Sequence, residues 1–210
     1  MSPEEKRNSK LGVQIVKALK ARHFDAYYCA TKDEAAEKIM SLIPKDDVVA
    51  WGGSMTMETL GIIERVKKAN NVIDRAQAKS PEEKTTLMRN ALLCDTYLMS
   101  TNAITEDGEL VNIDGTGNRL AAMMYGPKSV VIACGMNKVV KDMPAAVSRA
   151  RNYAAPVNAH RFELQTPCST TGSCADCKSQ QSICTYIVCT RLSRPENRIK
   201  VVLIGETLGF

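Results

Sequence analysis

Apolar and polar residues alternate along the chain with two periodicities, one typical of helices and the other of strands. Leu11, Ile15 and Leu19 recur every four residues and predict one buried face of an opening helix. The nearly unbroken apolar run Ser129–Cys134 is typical of a central strand in a parallel sheet, which is buried on both faces. Because such runs alternate with helical patterns, the sequence predicts an α/β fold with an open, mostly parallel sheet flanked by helices.

Capping residues indicate where further helices begin. Thr31 with Glu34, and Ser80 with Glu83, form capping-box patterns, and the second helix should bury Leu87. A last helix is expected near Pro144–Tyr153. We expect these runs to be strands of a single sheet: Ala26–Ala30, Asp47–Trp51, Tyr97–Ser100, Glu109–Ile113, Ser129–Cys134 and Val201–Gly205.

Length and composition are those of an ordinary water-soluble protein. The chain has 210 residues, of which 44% are hydrophobic and 24% charged, and a formal net charge of +5 from dispersed basic residues. Neither a signal peptide nor a membrane span is apparent, so we expect a cytoplasmic protein with no nucleic-acid partner. We expect an α/β domain over residues 1–160, a cysteine-rich metal-binding lobe over 161–198, and a final strand over 199–210 that returns to the α/β domain.

Five of the eight cysteines lie within one mainly polar stretch, from Cys168 to Cys189. Thiolates this close can converge on one metal centre, whereas a disulfide knot does not suit a cytoplasmic protein. A zinc ribbon normally has two close cysteine pairs and this stretch has one, so an iron–sulfur cluster, of the 4Fe-4S type, is favoured over zinc. Free thiols are the third interpretation. Cys189 follows an apolar segment and is spare, which leaves as expected ligands Cys168, Cys174, Cys177 and Cys184.

A glycine loop follows a predicted strand and opens a helix at Trp51–Glu58. At such junctions the backbone can approach a ligand closely, and hydroxyl groups can donate to an anion. The alternative is a tight turn in which Ser54 caps the helix. The predicted ligand-binding residues here are Gly52, Gly53, Ser54 and Thr56.

A second glycine loop occupies Asn112–Arg119, and a third polar strand end contains Asn102. Backbone amides and an arginine suit a carboxylate or a phosphate, although an ordinary turn that caps the next helix is equally compatible with the residues. Because strands of a parallel sheet end at one edge, we expect the three polar segments to form one pocket for a small anion. The second loop contributes as predicted ligand-binding residues Gly115, Thr116, Gly117, Asn118 and Arg119.

The segments GGSMTMETLG, TNAITEDGELVNIDGTGNR and PCSTTGSCADC with the later IC resemble the LUD-domain lactate-utilisation family of the LutC/YkgG type, in its cysteine-bearing branch. The resemblance implies a fold like that of ribose-5-phosphate isomerases and CoA transferases. It also implies that Gly52–Thr56 corresponds to a phosphate loop, that Asn102–Ala103 lies beside the reacting carbon, and that Gly115–Asn118 completes the site. Members of the family are associated with oxidation of L-lactate to pyruvate, together with iron–sulfur partner proteins.

Three functions follow as hypotheses. The first is an iron–sulfur protein that serves oxidation of L-lactate or a related 2-hydroxy acid and binds a small anion at the sheet edge. The second is an isomerase-like or acyl-transferase-like enzyme acting on a sugar phosphate or a CoA ester. In that enzyme Glu58 or Asp114 is the general base and Arg119 clamps the substrate. The third is a non-catalytic binding module with a structural zinc site.

Overall fold

The computed structural model describes residues 1–210 and contains two β-sheets. The strands are β1 Asp25–Cys29, β2 Val48–Trp51, β3 Asn71–Ile73, β4 Thr96–Ser100, β5 Ala103–Thr105, β6 Leu110–Asp114, β7 Ser129–Gly135, β8 Val139–Val140, β9 Tyr186–Thr190 and β10 Ile199–Ile204. The larger sheet has six parallel strands in the order β1-β10-β7-β4-β2-β3. The smaller sheet has the order β8-β5-β6-β9, in which β5, β6 and β9 are antiparallel neighbours.

The helices lie between the strands, as the alternating pattern predicted. They are α1 Pro3–Ala21, α2 Lys32–Ser41, α3 Met55–Thr59, α4 Ile62–Ala69, α5 Pro81–Asn90, α6 Asn118–Met124, α7 Met143–Arg149, α8 Ala155–Arg161 and α9 Pro167–Thr171. A π-helical turn, Ala150–Ala154, joins α7 to α8 in one continuous helical segment. The α/β class predicted from the sequence is therefore confirmed.

Helices cover both faces of the large sheet. On one face α1 and α6 pack against the strands, and Ile15 and Leu19 are completely buried there, as the helical period predicted. On the other face α2, α3 and α4 form a second apolar layer with β2, β7 and β10. Strand β7 pairs with β10 on one side and β4 on the other, which confirms its central place. The sheet is thus the middle layer of the core.

The prediction of a single sheet is wrong for the strand at Glu109–Ile113. This strand, β6, belongs to the smaller sheet, because it forms an antiparallel hairpin with β5 around the turn that contains Gly108. The hydroxyl of Thr101 donates to the carbonyl groups of Ala103 and Val111, at 2.9 and 3.1 Å. These bonds fix the point at which the chain leaves the large sheet.

The burial predicted for the helix after Ser80 is only partly correct. Ser80 caps α5 through its hydroxyl, which accepts a hydrogen bond from the amide of Glu83 at 3.1 Å. However, Leu87 is only half-buried, because α5 packs on short 3₁₀ turns and not on the sheet. The capping residues correctly predicted where α5 begins. Because α5 packs away from the sheet, its apolar side chain is buried less than expected.

Arg198 stabilises the core around the C-terminal end of α6. Its guanidinium donates to four backbone carbonyl groups around the end of α6, those of Ala122, Met123, Tyr125 and Pro127, at 2.7–2.9 Å. Carbonyls at a helix C-terminus have no partner within the helix, so one buried side chain here satisfies several of them. Burial lowers the pKa of this guanidinium.

Candidate anion site and cysteine cluster

A cavity of about 210 Å³ opens at the carboxyl ends of the strands of the large sheet. Segments that follow β2, β3, β4, β6 and β7 all contribute to its lining. In open parallel sheets this edge is the usual position of a ligand, because loops from several strands converge there. The lining includes nine of the predicted binding or catalytic residues: Gly53, Ser54, Thr56, Asn102, Asp114, Gly115, Thr116, Asn118 and Arg119.

Gly52 and Gly117 were predicted to bind a ligand but do not line this cavity. A Cβ atom at Gly52 would lie 2.9 Å from Cδ of Arg119, so this glycine allows the arginine to pack against the loop. Gly117 has a φ of +83°, a conformation that glycine adopts without steric cost, and its amide donates to Asp114 Oδ1 at 3.2 Å. Both glycines therefore support residues of the cavity wall without lining the cavity themselves.

Arg119 and Asp114 are largely occupied by bonds within the protein. The guanidinium of Arg119 donates to the carbonyl of Ser100 at 3.1 Å and to Asn112 Oδ1 at 2.9 Å, and also to the carbonyl of Ile113 at 2.6 Å. The carboxylate of Asp114 accepts two backbone amides and lies 3.7 Å from Arg119 Nε. These contacts hold the second glycine loop in place. The roles of general base and substrate clamp stay predictions.

Glu58, the other predicted base, lies outside the cavity lining. Its side chain is 52% exposed and faces Arg161 Nη2 at 3.6 Å. The geometry therefore gives Glu58 the position of a partner for Arg161 and not that of a group facing the ligand.

Lys138 is the functional candidate that sequence reasoning missed. Its side chain is 2% exposed, and Nζ donates to Thr56 Oγ1 at 3.1 Å and to Ser100 Oγ at 3.0 Å. No carboxylate lies within ion-pair distance of Nζ. Burial lowers the pKa of Lys138 to about 8; Cys134 opposes this shift, and the guanidiniums of Arg149 and Arg119 add to it. The sequence signal that could have identified Lys138 is its position, three residues after the end of the buried strand β7.

Two further arginines meet at the first glycine loop. A Cβ atom at Gly53 would lie 2.8 Å from Arg75 Nη2 and 3.6 Å from Arg161 Nη2, so the absent side chain lets both guanidiniums reach the backbone. With Lys138 and Arg119 they give the cavity four cationic side chains, against the single acidic side chain of Asp114. An excess of positive charge in a concave site attracts anions.

The cysteine-rich segment lies beside this cavity, to which it contributes Ile183. Burial raises the pKa of the neighbouring Cys184 thiol, and so do the charges of Cys174, Cys168 and Cys177, in that order. The four cysteines predicted as metal ligands therefore influence one another electrostatically. Cys189 lies apart on β9, where burial and then Glu109 raise its pKa.

The cysteine side chains are not arranged as a formed metal site. No group of three or more His, Cys, Asp or Glu side chains is arranged to hold a metal ion. Thr166 Oγ1 lies 3.2 Å from Cys168 Sγ, and Arg151 Nη2 lies 4.0 Å from Cys174 Sγ. Arg151 also pairs with Asp176. Each of the four thiols is partly exposed, so a ligand could reach them.

The continuous segment from α7 to α8 contacts each of these regions. At the end of α7 Arg149 donates to the carbonyl groups of Asn137 and of Asn102, the second of which lines the cavity. Within the π-helical turn Arg151 contacts the cysteine-rich segment. At its end Arg161 lines the cavity. π-Helical turns are uncommon and often occur at functional sites.

The fold and site define an α/β protein with an open parallel sheet and a cationic cavity at the carboxyl ends of its strands. A profile of the LUD domain matches residues 13–204, and the chain therefore belongs to the LUD-domain family, which is related to lactate utilisation. A comparison with curated proteins gave no match. None of the helices is both long and apolar enough to cross a lipid bilayer.

A solved structure of a DUF162 family protein shows the same fold. A DUF162 family protein from Deinococcus radiodurans matches with a TM-score of 0.55 and 11% identity, over 94% of this chain and 98% of that one. Weaker likenesses include eIF2B beta from Chaetomium thermophilum (TM-score 0.38, 19% identity, 54% of this chain and 44% of that one). Ribose 5-phosphate isomerase A from Neisseria gonorrhoeae gives a TM-score of 0.35 and 18% identity over 54% and 56% of the two chains.

Proposed function

We propose that this LUD-domain protein binds a small carboxylate of the 2-hydroxy-acid or 2-oxo-acid class in its cationic cavity and serves oxidation of L-lactate or a related acid. The observation that carries the proposal is the convergence of four cationic side chains on a small cavity that only one acidic side chain lines. A carboxylate ligand offsets part of this charge, and guanidinium groups bind carboxylates through paired hydrogen bonds.

Three side chains are available to the ligand in different ways. Arg75 has no ion pair in the protein, and Arg161 has only the exposed Glu58, so both guanidiniums can donate to a carboxylate. Lys138 contributes a positive charge when protonated, close to the hydroxyl groups of Thr56 and Ser100. Those hydroxyls can donate to or accept from the hydroxyl or carbonyl oxygen of the ligand.

We further propose that Cys168, Cys174, Cys177 and Cys184 hold an iron–sulfur cluster. Such a cluster, when bound, accepts and passes on electrons one at a time, which suits an oxidation shared with iron–sulfur partner proteins. The donor set fits in kind, since it consists of four thiols, and the three others raise the pKa of Cys184. Zinc uses the same ligands and is an outcome of the test. The cytoplasmic location expected from the sequence belongs to this proposal.

Two measurements on protein purified without oxygen test the proposed function. Calorimetric titration with L-lactate and with pyruvate should show one site per chain, and the affinity should fall in the Arg75→Ala variant. Iron, zinc and acid-labile sulfide are then measured on the same sample, and iron with sulfide is expected. Binding of neither acid overturns the assignment of the cavity. Zinc without sulfide, or no metal, overturns the redox role.

An isomerase-like or acyl-transferase-like enzyme remains the second candidate. The excess of cationic over anionic side chains around the cavity also suits a phosphate ester, which carries more negative charge than a monocarboxylate. Titration with ribose 5-phosphate and with acetyl-CoA under the same conditions separates the two functions. Turnover of either compound by the isolated chain would favour the second.

A further inference from the structure

We propose that Lys138 is an amine nucleophile that captures the carbonyl carbon of a small 2-oxo acid as an imine. This inference rests on the proposed function, because it takes the oxo acid to be a ligand of the same cavity. It adds a covalent step and names the atom of the protein that makes the bond, Lys138 Nζ.

The surroundings of Lys138 disfavour the charged ammonium form. The side chain is buried, and no carboxylate lies close enough to compensate a positive charge. The groups that contact Nζ are the neutral hydroxyls of Thr56 and Ser100. The neighbouring guanidiniums of Arg119 and Arg149 repel a further cation. Desolvation and a nearby cation are the two means by which proteins make a lysine amine nucleophilic near neutral pH.

The titration of the amine agrees with this geometry. With a pKa of about 8, a substantial minority of Lys138 is neutral at neutral pH, on the order of one molecule in ten. An ordinary surface lysine is neutral about once in several thousand molecules under the same conditions. The difference predicts that Lys138 reacts with carbonyl compounds far more readily than exposed lysines do.

Segment Leu208–Gly209 holds the amine in place. Asn137, which precedes Lys138, donates through its side chain to the carbonyl of Gly209 at 3.1 Å and accepts from the amide of Leu208 at 3.1 Å. A Cβ atom at Gly209 would lie 3.4 Å from Lys138 Nζ. The backbone therefore covers the amine on one side, while the residue still lines the cavity on the other.

The proposed step balances as an ordinary imine formation. The neutral amine attacks the carbonyl carbon, a C–N bond forms and the carbonyl oxygen becomes a hydroxyl. A proton is taken up as that hydroxyl leaves as water, and the product is a protonated imine with no change in oxidation state. The hydroxyls of Thr56 and Ser100, which contact Nζ, are placed to pass these protons. The carboxylate of the acid pairs with the guanidiniums at the cavity wall.

Reductive trapping tests this inference. The full chain is incubated with pyruvate and sodium cyanoborohydride, which donates hydride to an imine and fixes it as a secondary amine, and the adduct is mapped by peptide mass spectrometry. We expect Lys138 to be labelled at least tenfold faster than Lys17, an exposed lysine on α1 with no ion pair. Acetaldehyde, which lacks the carboxylate, should label Lys138 at least tenfold more slowly than pyruvate.

Variants make the outcome specific. Lys138→Arg keeps the positive charge but should form no adduct at this position, Lys138→Met serves the same purpose if the arginine does not fit, and Lys17→Arg should leave labelling of Lys138 unchanged. Circular dichroism is used to check that each variant is folded. If pyruvate binds in the calorimeter but Lys138 is labelled no faster than Lys17, the covalent step is wrong and the proposed function stands. If pyruvate neither binds nor labels Lys138, both are wrong.

Discussion

Ile183 packs so closely on Gly115 that a Cβ atom on the glycine would come within 3.1 Å of the Cα atom of Ile183. Gly115 belongs to the second glycine loop, whereas Ile183 immediately precedes Cys184 in the cysteine-rich segment. The contact therefore joins the two candidate sites directly, and Ile183 is part of the cavity wall. A change in the position of the cysteine-rich segment changes the shape of the cavity.

A larger residue at Gly115 should disturb both sites together. Gly115→Val forces Ile183 away, and overpacking of this kind typically costs about 1–3 kcal/mol. We expect weaker pyruvate binding and faster reaction of Cys184 with a thiol reagent in metal-free protein, measured by calorimetry and by spectrophotometry. Thr85→Val, at an exposed position on α5 outside the cavity lining, is the control. Unchanged reactivity of Cys184 in Gly115→Val would contradict the proposed contact.

Loss of Arg75 should weaken anion binding without loss of stability. A hydrogen bond to a charged group contributes about 1.5–3 kcal/mol, so Arg75→Ala should lower the affinity for pyruvate about tenfold to a hundredfold. The matched control is Arg89→Ala, which removes an exposed arginine from α5, outside the cavity lining. Equal affinities of the two variants, measured by calorimetry, would show that Arg75 does not face the ligand.

Stability should depend on pH through Lys138. Its pKa of about 8 in the folded protein lies below the unfolded value of 10.5, so the unfolded chain binds more protons between these values. The free energy of unfolding should therefore gain a favourable contribution as the pH rises from about 8 to 10.5, of up to about 3 kcal/mol. Urea unfolding of the wild type and Lys138→Met at both ends of this range isolates that contribution. A constant difference between the two proteins would contradict the lowered pKa.

The protonation of Lys138 should also affect ligand binding. Stability rises with pH, whereas the affinity for an anion should fall. Lys138 loses its positive charge as the pH rises through about 8, so the non-covalent affinity of the wild type for L-lactate should fall across this range. Lys138→Met carries no charge at any pH and should bind more weakly, with a flat profile. L-Lactate is the suitable probe because it has no carbonyl group to form an imine. Parallel profiles for the two proteins, measured by calorimetry, would exclude Lys138 from the anion site.

The cysteines should divide into ligands and one spare residue. Cys177→Ser should lose the metal and its visible absorbance under anaerobic conditions, because the other three thiols alone cannot complete a four-cysteine site. Cys189→Ser should retain both, since Cys189 lies on β9 beside Glu109 and apart from the other four. Metal analysis and absorption spectra check both variants. An intact site in Cys177→Ser, or its loss in Cys189→Ser, contradicts the ligand set.

Arg198 should be one of the most sensitive positions for stability. Arg198→Met retains much of the side-chain volume but leaves four carbonyl groups at the end of α6 without their donor. Each unsatisfied buried group costs about 1–3 kcal/mol, and we expect a total loss of at least about 3 kcal/mol in urea unfolding. Arg198→Lys, with fewer donors, should be intermediate. A loss below about 1 kcal/mol in Arg198→Met, which is the low end of the cost of one unsatisfied group, would show that water replaces the guanidinium.

The sequence predicted the large sheet well because local patterns determine much of it. The run Ser129–Cys134 is apolar at nearly every position, and only a strand covered on both faces tolerates this. The hairpin of β5 and β6 was less accessible. Its strands are short, and their assignment to a second sheet depends on pairing with β8 and β9, which are distant in the sequence.

The candidate site was predictable where it depends on strand ends and not where it depends on long-range burial. The glycine loops were found because glycines after a strand are visible in the sequence. Lys138 was missed because a lysine is usually exposed, and its burial results from contacts with Thr56, Ser100 and Gly209, none of them near it in the chain. Arg75 and Arg161 likewise meet only because two distant segments converge on Gly53.

The π-helical turn at Ala150–Ala154 sets the rotational phase of the helical segment that joins these parts. A π-turn accommodates one residue more than an α-turn, and one residue corresponds to about 100° of rotation. Without the extra residue, α8 would turn by that angle relative to α7. Arg161 would then point away from Gly53 while Arg149 kept its bonds to Asn102 and Asn137. A single inserted residue thus brings Arg149 and Arg161 into phase with one cavity.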